Sequence, residues 1–513
     1  MLSVKARPSS DRKFLVGILL LNWGLLLGQL ADRSLWVDEF LTLQMIQGGF
    51  AQVIQAAIAD IHPPLYFLAL RLWTLLVGTS DFSLRWFSVA VGFTGLVLFS
   101  VLVRRWIGRQ LVLPTTLFLA LSPAFIEFSR MARYYSLLLA LGLLSTLILL
   151  YAIQVPSWKT WLAYTLTGAS LLYTFYPTGI LLLAHGIIVL AAPPRRVALK
   201  SWCVATCLAG ITFVPWLVYV AWGQALRMSG ASGAAFAHTG LGTGLGIAAS
   251  FYTFSVGETI FPWNPVTWLG LGAIAIFVFS SLRRAWHEAS PWLYLFLIGI
   301  LFLSLVTSFV SVSTPFLNVP VRGLLLLPYL LIVIAMGMTK LNRRTRLIGA
   351  IALVGVWSIS LWNYYAGEQF LNPIYLTPSK QAAEFVQRHI AAGDLVVTDM
   401  DSIVGHYLPA DQVPSQLYTD QVDEIRATIE NKPPQRIWLV WINRDQTENN
   451  SSLGTVRQLV VQDYRLEQTT RWLPIDPIYR QVKDYMLRRE SYDYRLVIEL
   501  FSRNKISVAR KNE

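Results

Sequence analysis

Charge and cysteine are what this sequence has least of. Only 14% of its 513 residues are charged, while 55% are hydrophobic, a balance that excludes an ordinary soluble protein. The two cysteines, Cys203 and Cys207, stand four apart in an apolar stretch. That leaves no disulfide framework and no CxxC metal motif, and the pair reads as small packing residues. Also absent are a Walker A loop, a GxGxxG after a strand, an HExxH and a GxSxG. ATP is therefore not an evident energy source, and a catalyst built on this chain needs a substrate that arrives already activated. No internal repeat and no long low-complexity linker is visible.

What the sequence has in quantity is apolar runs. They recur from Phe14 to Trp362, each near the roughly 20 residues that a bilayer core requires. Past Gly367 the character changes, and residues 368–513 hold 18 Lys and Arg and 20 Asp and Glu. The expectation is a mainly α, polytopic membrane domain over 1–367, followed by a water-soluble domain over 368–513. The net charge of +13 sits in the membrane half, where it marks topology and not a nucleic-acid partner. Lys5, Arg7, Arg12 and Lys13 precede an apolar run that ends without a small-residue cleavage site. That run reads as the first transmembrane helix and not as a cleavable signal.

About eleven spans are expected, near 14–31, 84–103, 110–128, 135–153, 158–175, 177–192, 200–222, 264–282, 291–312, 322–339 and 345–363. With the N-terminus inside, the inner loops collect 17 Lys and Arg against two acids, Asp11 and Glu288, a strong positive-inside bias. The same bias places residues 64–78 (PLYFLALRLWTLLVG) as an interfacial helix, since a span there would move every later basic loop outside. The first outer loop then runs over 31–83, and Asp38, Glu39, Asp60, His62, Glu127, Arg130 and Arg133 all fall on the outer face of a cell membrane. The soluble domain, outside by parity, opens with an amphipathic helix at Lys380–His389. Strands follow at Leu395–Thr398, Arg436–Ile442 and Arg495–Phe501, an α/β pattern.

Three motifs carry chemistry. Asp38 and Glu39 are adjacent, so their side chains diverge on a helix or strand; one can accept a proton while the other orients the site. The plainer reading is an N-cap acid for Glu39–Met45. In Asp60-Ile-His62-Pro63-Pro64, the proline pair breaks the preceding segment and holds His62 at a loop–helix junction, or merely punctuates a helix start with Pro64 at N1. Arg130 and Arg133, with Tyr134 and Tyr135, follow an apolar run that ends outside. Arginine's planar fork suits phosphate, although snorkelling accounts for many arginines at helix ends. Arg322, after Pro315 and Pro320, is a weaker candidate of the same kind. Glu258, His238, Tyr173 and Tyr176 lie near the outer face without an assigned role.

An Asp-Glu pair after the first helix, a His-Pro-Pro leading into an interfacial helix and an Arg-x-x-Arg-Tyr after the third helix resemble the GT-C superfamily of polytopic glycosyltransferases. The chain looks most like the branch of protein-O-mannosyltransferases and aminoarabinose transferases, most clearly over residues 30–140. The resemblance implies a polyprenyl-phosphate (or dolichyl-phosphate) sugar donor and single-displacement transfer with inversion. In that reading Asp38 is the general base, Glu39 supports it, and Arg133 and Arg130 neutralise the departing lipid phosphate. Asp60 and His62 match the Asp-x-His-Pro-Pro form of the mannosyltransferases and tilt the donor towards mannose or another neutral hexose. Arg322 is carried as a further donor-side residue. The resemblance implies no nucleotide cofactor; the metal requirement differs among relatives, and a divalent cation is compatible with it. The acceptor is a glycan, a lipid or a protein. A β-trefoil module found in eukaryotic mannosyltransferases has no counterpart here, so a protein acceptor does not follow. The rival reading is a secondary transporter or lipid flippase, which would place charges near the midplane of broken helices; here they gather at one face. A scaffold protein would leave the acidic and basic clusters unexplained.

Overall fold

The computed structural model describes residues 8–60, 62–191, 195–228, 240–285, 299, 319–399, 402–409, 415–442, 452–472, 477–487 and 495–504. His238 and, apart from residue 299, the predicted span 291–312 lie outside them. The chain divides into two compact units, one of residues 1–30 and 42–371, the other of residues 31–41 and 372–513. The second unit joins residues 372–513 to a short segment, residues 31–41, of the expected first outer loop.

The first unit is helical. Its helices are α1 (Pro8–Leu27), α2 (Val37–Met45, shared with the second unit), α3 (Phe50–Ala59), α4 (Leu65–Val77), α5 (Asp81–Leu102), α6 (Val112–Leu121), α7 (Pro123–Ser129), α8 (Tyr135–Gln154), α9 (Trp158–Leu172) and α10 (Gly179–Ala191). There follow α11 (Arg195–Met228), α12 (Gly240–Val256), α13 (Val266–Ala285), α14 (Val319–Arg322), α15 (Leu327–Met338) and α16 (Arg343–Ala366). Among the described residues four helical stretches are long and apolar enough to cross a membrane: Asp81–Ile107, Tyr135–Gln154, Ala198–Val220 and Arg343–Ala366. Arg109–Leu121 and Pro123–Ser129 make a fifth if the pair, bent by 57°, is one span. Several other predicted spans appear as shorter apolar helices, among them Tyr176–Ala191, Val266–Leu282 and Leu324–Met338. Helix α1 is 20 residues long, but its first turns hold Asp11, Arg12 and Lys13.

The 13 residues of α4 rise only about 20 Å, short of the roughly 30 Å of a bilayer core. Its Trp73 stacks on Trp86 of α5 with ring centroids 4.8 Å apart, and Trp73 Nε1 donates to Ser83 O at 2.9 Å. Small residues bring the longer helices together, as expected where lipid supplies no hydrophobic drive between them. A Cβ on Gly95 of α5 would lie 2.4 Å from Leu139 Cδ2 of α8, and one on Gly337 of α15 would lie 1.8 Å from Phe277 O of α13. At Gly337 anything larger than glycine would press on backbone and force the helices apart, whereas at Gly95 the Leu139 side chain would have to shift.

In the second unit the elements are α17 (Ser379–His389), β1 (Leu395–Thr398), α18 (Val404–Tyr407), β2 (Gln416–Tyr418), α19 (Val422–Asn431), β3 (Arg436–Ile442), α20 (Ser452–Asp463), β4 (Tyr464–Trp472), α21 (Pro477–Leu487) and β5 (Leu496–Arg503). The sheet runs β2-β1-β3-β5-β4. Strand β1 pairs parallel to both β2 and β3, while β5 pairs antiparallel to β3 and β4. Alternation along the strands builds two cores. Val396, Trp438, Val440 and Ile498 join Ala382 and Val386 on one side. Leu395, Val397 and Leu439 join Ile425, Val456 and Val460 on the other. Asp394, buried just ahead of β1, accepts from Arg436 Nη2 at 2.6 Å and Trp438 Nε1 at 3.0 Å, which ties β1 to β3.

Candidate active site

The break between α6 and α7 sets up the basic side of the site. Ser122 adopts an extended backbone and Pro123 opens α7 at its first turn, where a missing N–H costs nothing. The short α7 then ends at Ser129, and Arg130–Tyr134 form a buried turn before α8. From this turn the two arginines diverge. Arg133 Nη1 donates to Thr42 Oγ1 at 3.0 Å, and its guanidinium lies 5.6 Å from the ring of Tyr134. Arg130 turns into the bundle. Its Nη2 donates to Gly28 O at 2.5 Å, and the guanidinium sits over Tyr364 and Tyr365 at 5.2 and 4.9 Å. Its Nε and Nη1 find no hydrogen-bond partner among the described residues.

Asp60 and His62 pair with each other, and Arg133 acts on Asp60 electrostatically. Asp60 ends α3, and His62 Nδ1 lies 2.9 Å from Asp60 Oδ2 and 3.0 Å from Asp60 O. Burial works against the Asp60 charge. The His62 hydrogen bond, the His62 charge and the Arg133 guanidinium outweigh it and hold the carboxyl below its ordinary range. The imidazole centroid is 5.9 Å from that of Tyr134 and 6.4 Å from that of Phe67. The junction is anchored by Leu65 N, which donates to Tyr173 O at 3.0 Å.

An aromatic wall continues from there. Tyr134 stacks on Phe175 at 5.4 Å, and Phe175 is 5.9 Å from Tyr176. Burial raises the Tyr176 hydroxyl, Tyr134 adds to the rise, and Arg322 opposes it. Arg322, at the end of α14, is thus near enough to Tyr176 to act on it electrostatically, although it is distant in sequence. Asp60, His62, Arg133, Tyr134, Tyr176 and Arg322 are linked by these contacts and electrostatic influences in the helical unit, while the contacts of Arg130 are with Gly28, Tyr364 and Tyr365. Among the described residues no three His, Cys, Asp or Glu side chains come together; Asp60 with His62 supplies one carboxylate and one imidazole.

Two acids form a second feature of this unit. Glu127 and Glu258 are each 2% exposed. Gly257, at φ +100°, lets the chain turn against Pro123, and Glu258 O then accepts from Leu371 N at 2.8 Å. Burial first, and the nearby Glu127 carboxyl second, push the Glu258 carboxyl well above its ordinary range, although Thr253 donates to it. A raised carboxyl destabilises the fold as pH climbs from the unfolded value towards the folded one, because only the unfolded chain releases the proton there. Glu258→Gln should therefore raise the thermal midpoint at pH 8, with the gain shrinking towards pH 5. A scanning-calorimetry series that showed no pH-dependent difference would contradict this.

The acidic pair lies in the other unit's segment, at the start of α2. Trp36 N donates to Glu39 Oε2 at 3.2 Å, the backward half of a capping box. Glu39 is 1% exposed, and Asp38 is half-buried. The helix therefore starts two residues earlier than the capping-acid reading requires, and Glu39 acts from inside its first turn.

Residues 61–222 match the family model of dolichyl-phosphate-mannose-protein mannosyltransferase. ArnT from Cupriavidus metallidurans in the apo state is similar with a TM-score of 0.56 at 12% identity, over 96% of this chain and 98% of ArnT. Its form bound to undecaprenyl phosphate gives 0.53 at 13% identity, with the same coverage. The apo oligosaccharyltransferase of Archaeoglobus fulgidus gives 0.51 at 11% identity, over 89% of this chain and 73% of that protein. Over most of its length the chain has the fold of these solved proteins, and residues 61–222 carry the family match. No curated protein matches the chain by sequence. The matched stretch holds His62, Arg130, Arg133 and the Tyr134–Tyr176 wall; Asp38, Glu39 and Asp60 precede it.

Sequence reasoning did not connect Thr42, Phe175 and Tyr176 to the site, nor pair Glu127 with Glu258. Only the Tyr173 and Tyr176 positions near the outer face hinted at the aromatic wall.

Proposed function

We propose that the protein transfers a sugar, mannose or another neutral hexose, from a polyprenyl-phosphate donor to an acceptor at the outer face of the membrane. The observation that carries the proposal is the grouping of Asp60, His62, Arg133 and Tyr134, with Arg322 acting electrostatically on the neighbouring Tyr176, in a largely apolar helical unit. Arginines beside tyrosines suit a phosphate whose lipid tail lies among hydrophobic helices. ArnT, of the same fold, is known in a form bound to undecaprenyl phosphate, which supports a lipid phosphate as the donor's leaving group.

Asp38 is the general base in this reading. Glu39 already accepts the Trp36 amide, which fits it for orienting α2 and not for proton transfer. Asp38 and Thr42 are four residues apart on α2 and so share one face of that helix. The acceptor hydroxyl or amine gives its proton to Asp38 as its lone pair attacks the anomeric carbon. The bond from that carbon to the phosphate oxygen breaks, and its electron pair leaves with the polyprenyl phosphate. Attack opposite the leaving group inverts the centre. Arg133 and Arg322 stabilise the charge that develops on the phosphate, and preorganised donors of this kind are among the largest catalytic terms. Asp60 and His62 contact the sugar. No step requires a nucleotide. The domains are proposed as a transferase membrane domain over 1–367 with the N-terminus cytoplasmic, and an extracytoplasmic α/β domain over 368–513.

Mass spectrometry of lipids that co-purify from the native membrane tests the donor. The expected species is a polyprenyl-phosphate hexose, and its mass names the sugar class. A different lipid bound in stoichiometric amount and never cleaved would favour a flippase.

A further inference from the structure

We infer that the C-terminal unit acts as a positioning device for the segment that carries the general base, with Tyr407 and Lys380 as positioning residues. The inference rests on the role proposed above for Asp38. Residues 31–36 form no helix or strand, and their backbone polar groups need partners from elsewhere. Two residues of the C-terminal unit provide them. Tyr407 Oη accepts from Leu35 N at 2.8 Å. Lys380 N donates to Ser34 Oγ at 2.9 Å, and Lys380 Nζ donates to the carbonyls of Ala31 and, at 3.4 Å, Arg33. The Lys380 ammonium also lies 5.5 Å from the centre of the Tyr407 ring, so the two act together. Ring contacts extend the clamp along the segment. Trp36 meets Tyr375 edge-on at 4.9 Å, and Phe40 meets His406 at 5.5 Å.

The clamp is itself registered to the sheet. Tyr407 ends the four-residue α18, and a Cβ on Gly405 within that helix would lie 2.9 Å from Thr398 Oγ1 at the end of β1. Ser379 Oγ donates to Ser402 O at 2.5 Å, which ties the start of α17, and with it Lys380, to the turn that precedes α18. Ile403, between them, holds φ +58°, a left-handed conformation that a β-branched side chain adopts only when its surroundings impose it. A continuous path thus runs from β1 through α18 and Tyr407 to Leu35, three residues before Asp38. A lysine ammonium bonded to backbone carbonyls, and a tyrosine hydroxyl bonded to the Leu35 amide, fix the orientation of the segment.

The test uses the full-length protein in native membranes, with variants Tyr407→Phe, Lys380→Met and Lys380→Arg beside Asp38→Asn. Release of lipid phosphate from undecaprenyl-phosphate mannose gives kcat and KM, binding of undecaprenyl phosphate gives the donor-site affinity, and hydrogen exchange reads the peptide that contains 31–41. Tyr407→Phe and Lys380→Met should lower kcat by roughly 10- to 100-fold, the scale on which misplaced catalytic groups cost rate. Donor KM and undecaprenyl-phosphate affinity should stay within about twofold, exchange should quicken in the 31–41 peptide alone, and Lys380→Arg should recover most of the loss. Unchanged kcat in both variants overturns the inference, whatever the exchange shows. A parallel loss of kcat, donor affinity and folded protein overturns it too, because it would mean only a damaged fold. If Asp38→Asn is fully active, the assignment of the base fails; the exchange and kcat results for Tyr407 and Lys380 then still decide whether the clamp serves turnover.

Discussion

Asp38→Asn is expected to leave a folded, donor-binding protein that no longer transfers sugar. The change is nearly isosteric and removes the group that accepts the acceptor's proton, a contribution worth on the order of 10²- to 10⁴-fold in rate. The helix start should survive it, because the bond that closes the first turn of α2 runs from Trp36 N to Glu39, not to Asp38. Donor affinity should survive as well, since the proposed phosphate ligands Arg133 and Arg322 lie in other elements. The decisive measurement is turnover under conditions in which undecaprenyl-phosphate binding is shown to be normal. Full activity there would remove Asp38 from the mechanism.

Arg133→Ala should weaken the donor itself. Charge-assisted hydrogen bonds contribute about 1.5–3 kcal/mol each, which corresponds to roughly 10- to 100-fold in affinity for undecaprenyl phosphate. Two further consequences follow from the contacts of Arg133. Its Nη1 holds Thr42, so α2 loses an anchor; and Asp60 loses one of the charges that keeps its carboxyl low, so its protonation should move towards the ordinary range. Lysine restores the charge but not the planar fork and should recover only part of the affinity. Equal binding by Arg133→Ala and the unmodified protein would show that the phosphate lies elsewhere, with Arg130 the first alternative because its Nε and Nη1 are unpartnered.

Much of the architecture was legible because it is written locally. The predicted strands Leu395–Thr398 and Arg436–Ile442 are β1 and β3 with the same limits, and the predicted helix at Lys380–His389 is α17 begun one residue earlier. Each has a clean period or a compact apolar run. Strand β2 is only three residues of modest burial, and β4 is a polar edge whose residues are mostly exposed; neither has a pattern strong enough to read. The bend at Ser122 was hidden for a similar reason, since a proline at the first turn of a helix looks the same whether that helix begins or continues a span.

Candidate residues could be picked out of the sequence in the same way. Composition and motif order alone determined the membrane class, the change of character near residue 367, and the acids, histidine and arginines that deserved consideration, because charge in an apolar chain is conspicuous wherever it falls. Tertiary structure alone decided which of them meet. Arg130 and Arg133 are three residues apart, yet one packs on Gly28, Tyr364 and Tyr365 while the other holds Thr42. Residues 31–41 cluster with residues 372–513 although more than three hundred positions separate them. No sequence period encodes such pairings; they exist only once the apolar faces have chosen partners and the remaining polar groups must find theirs.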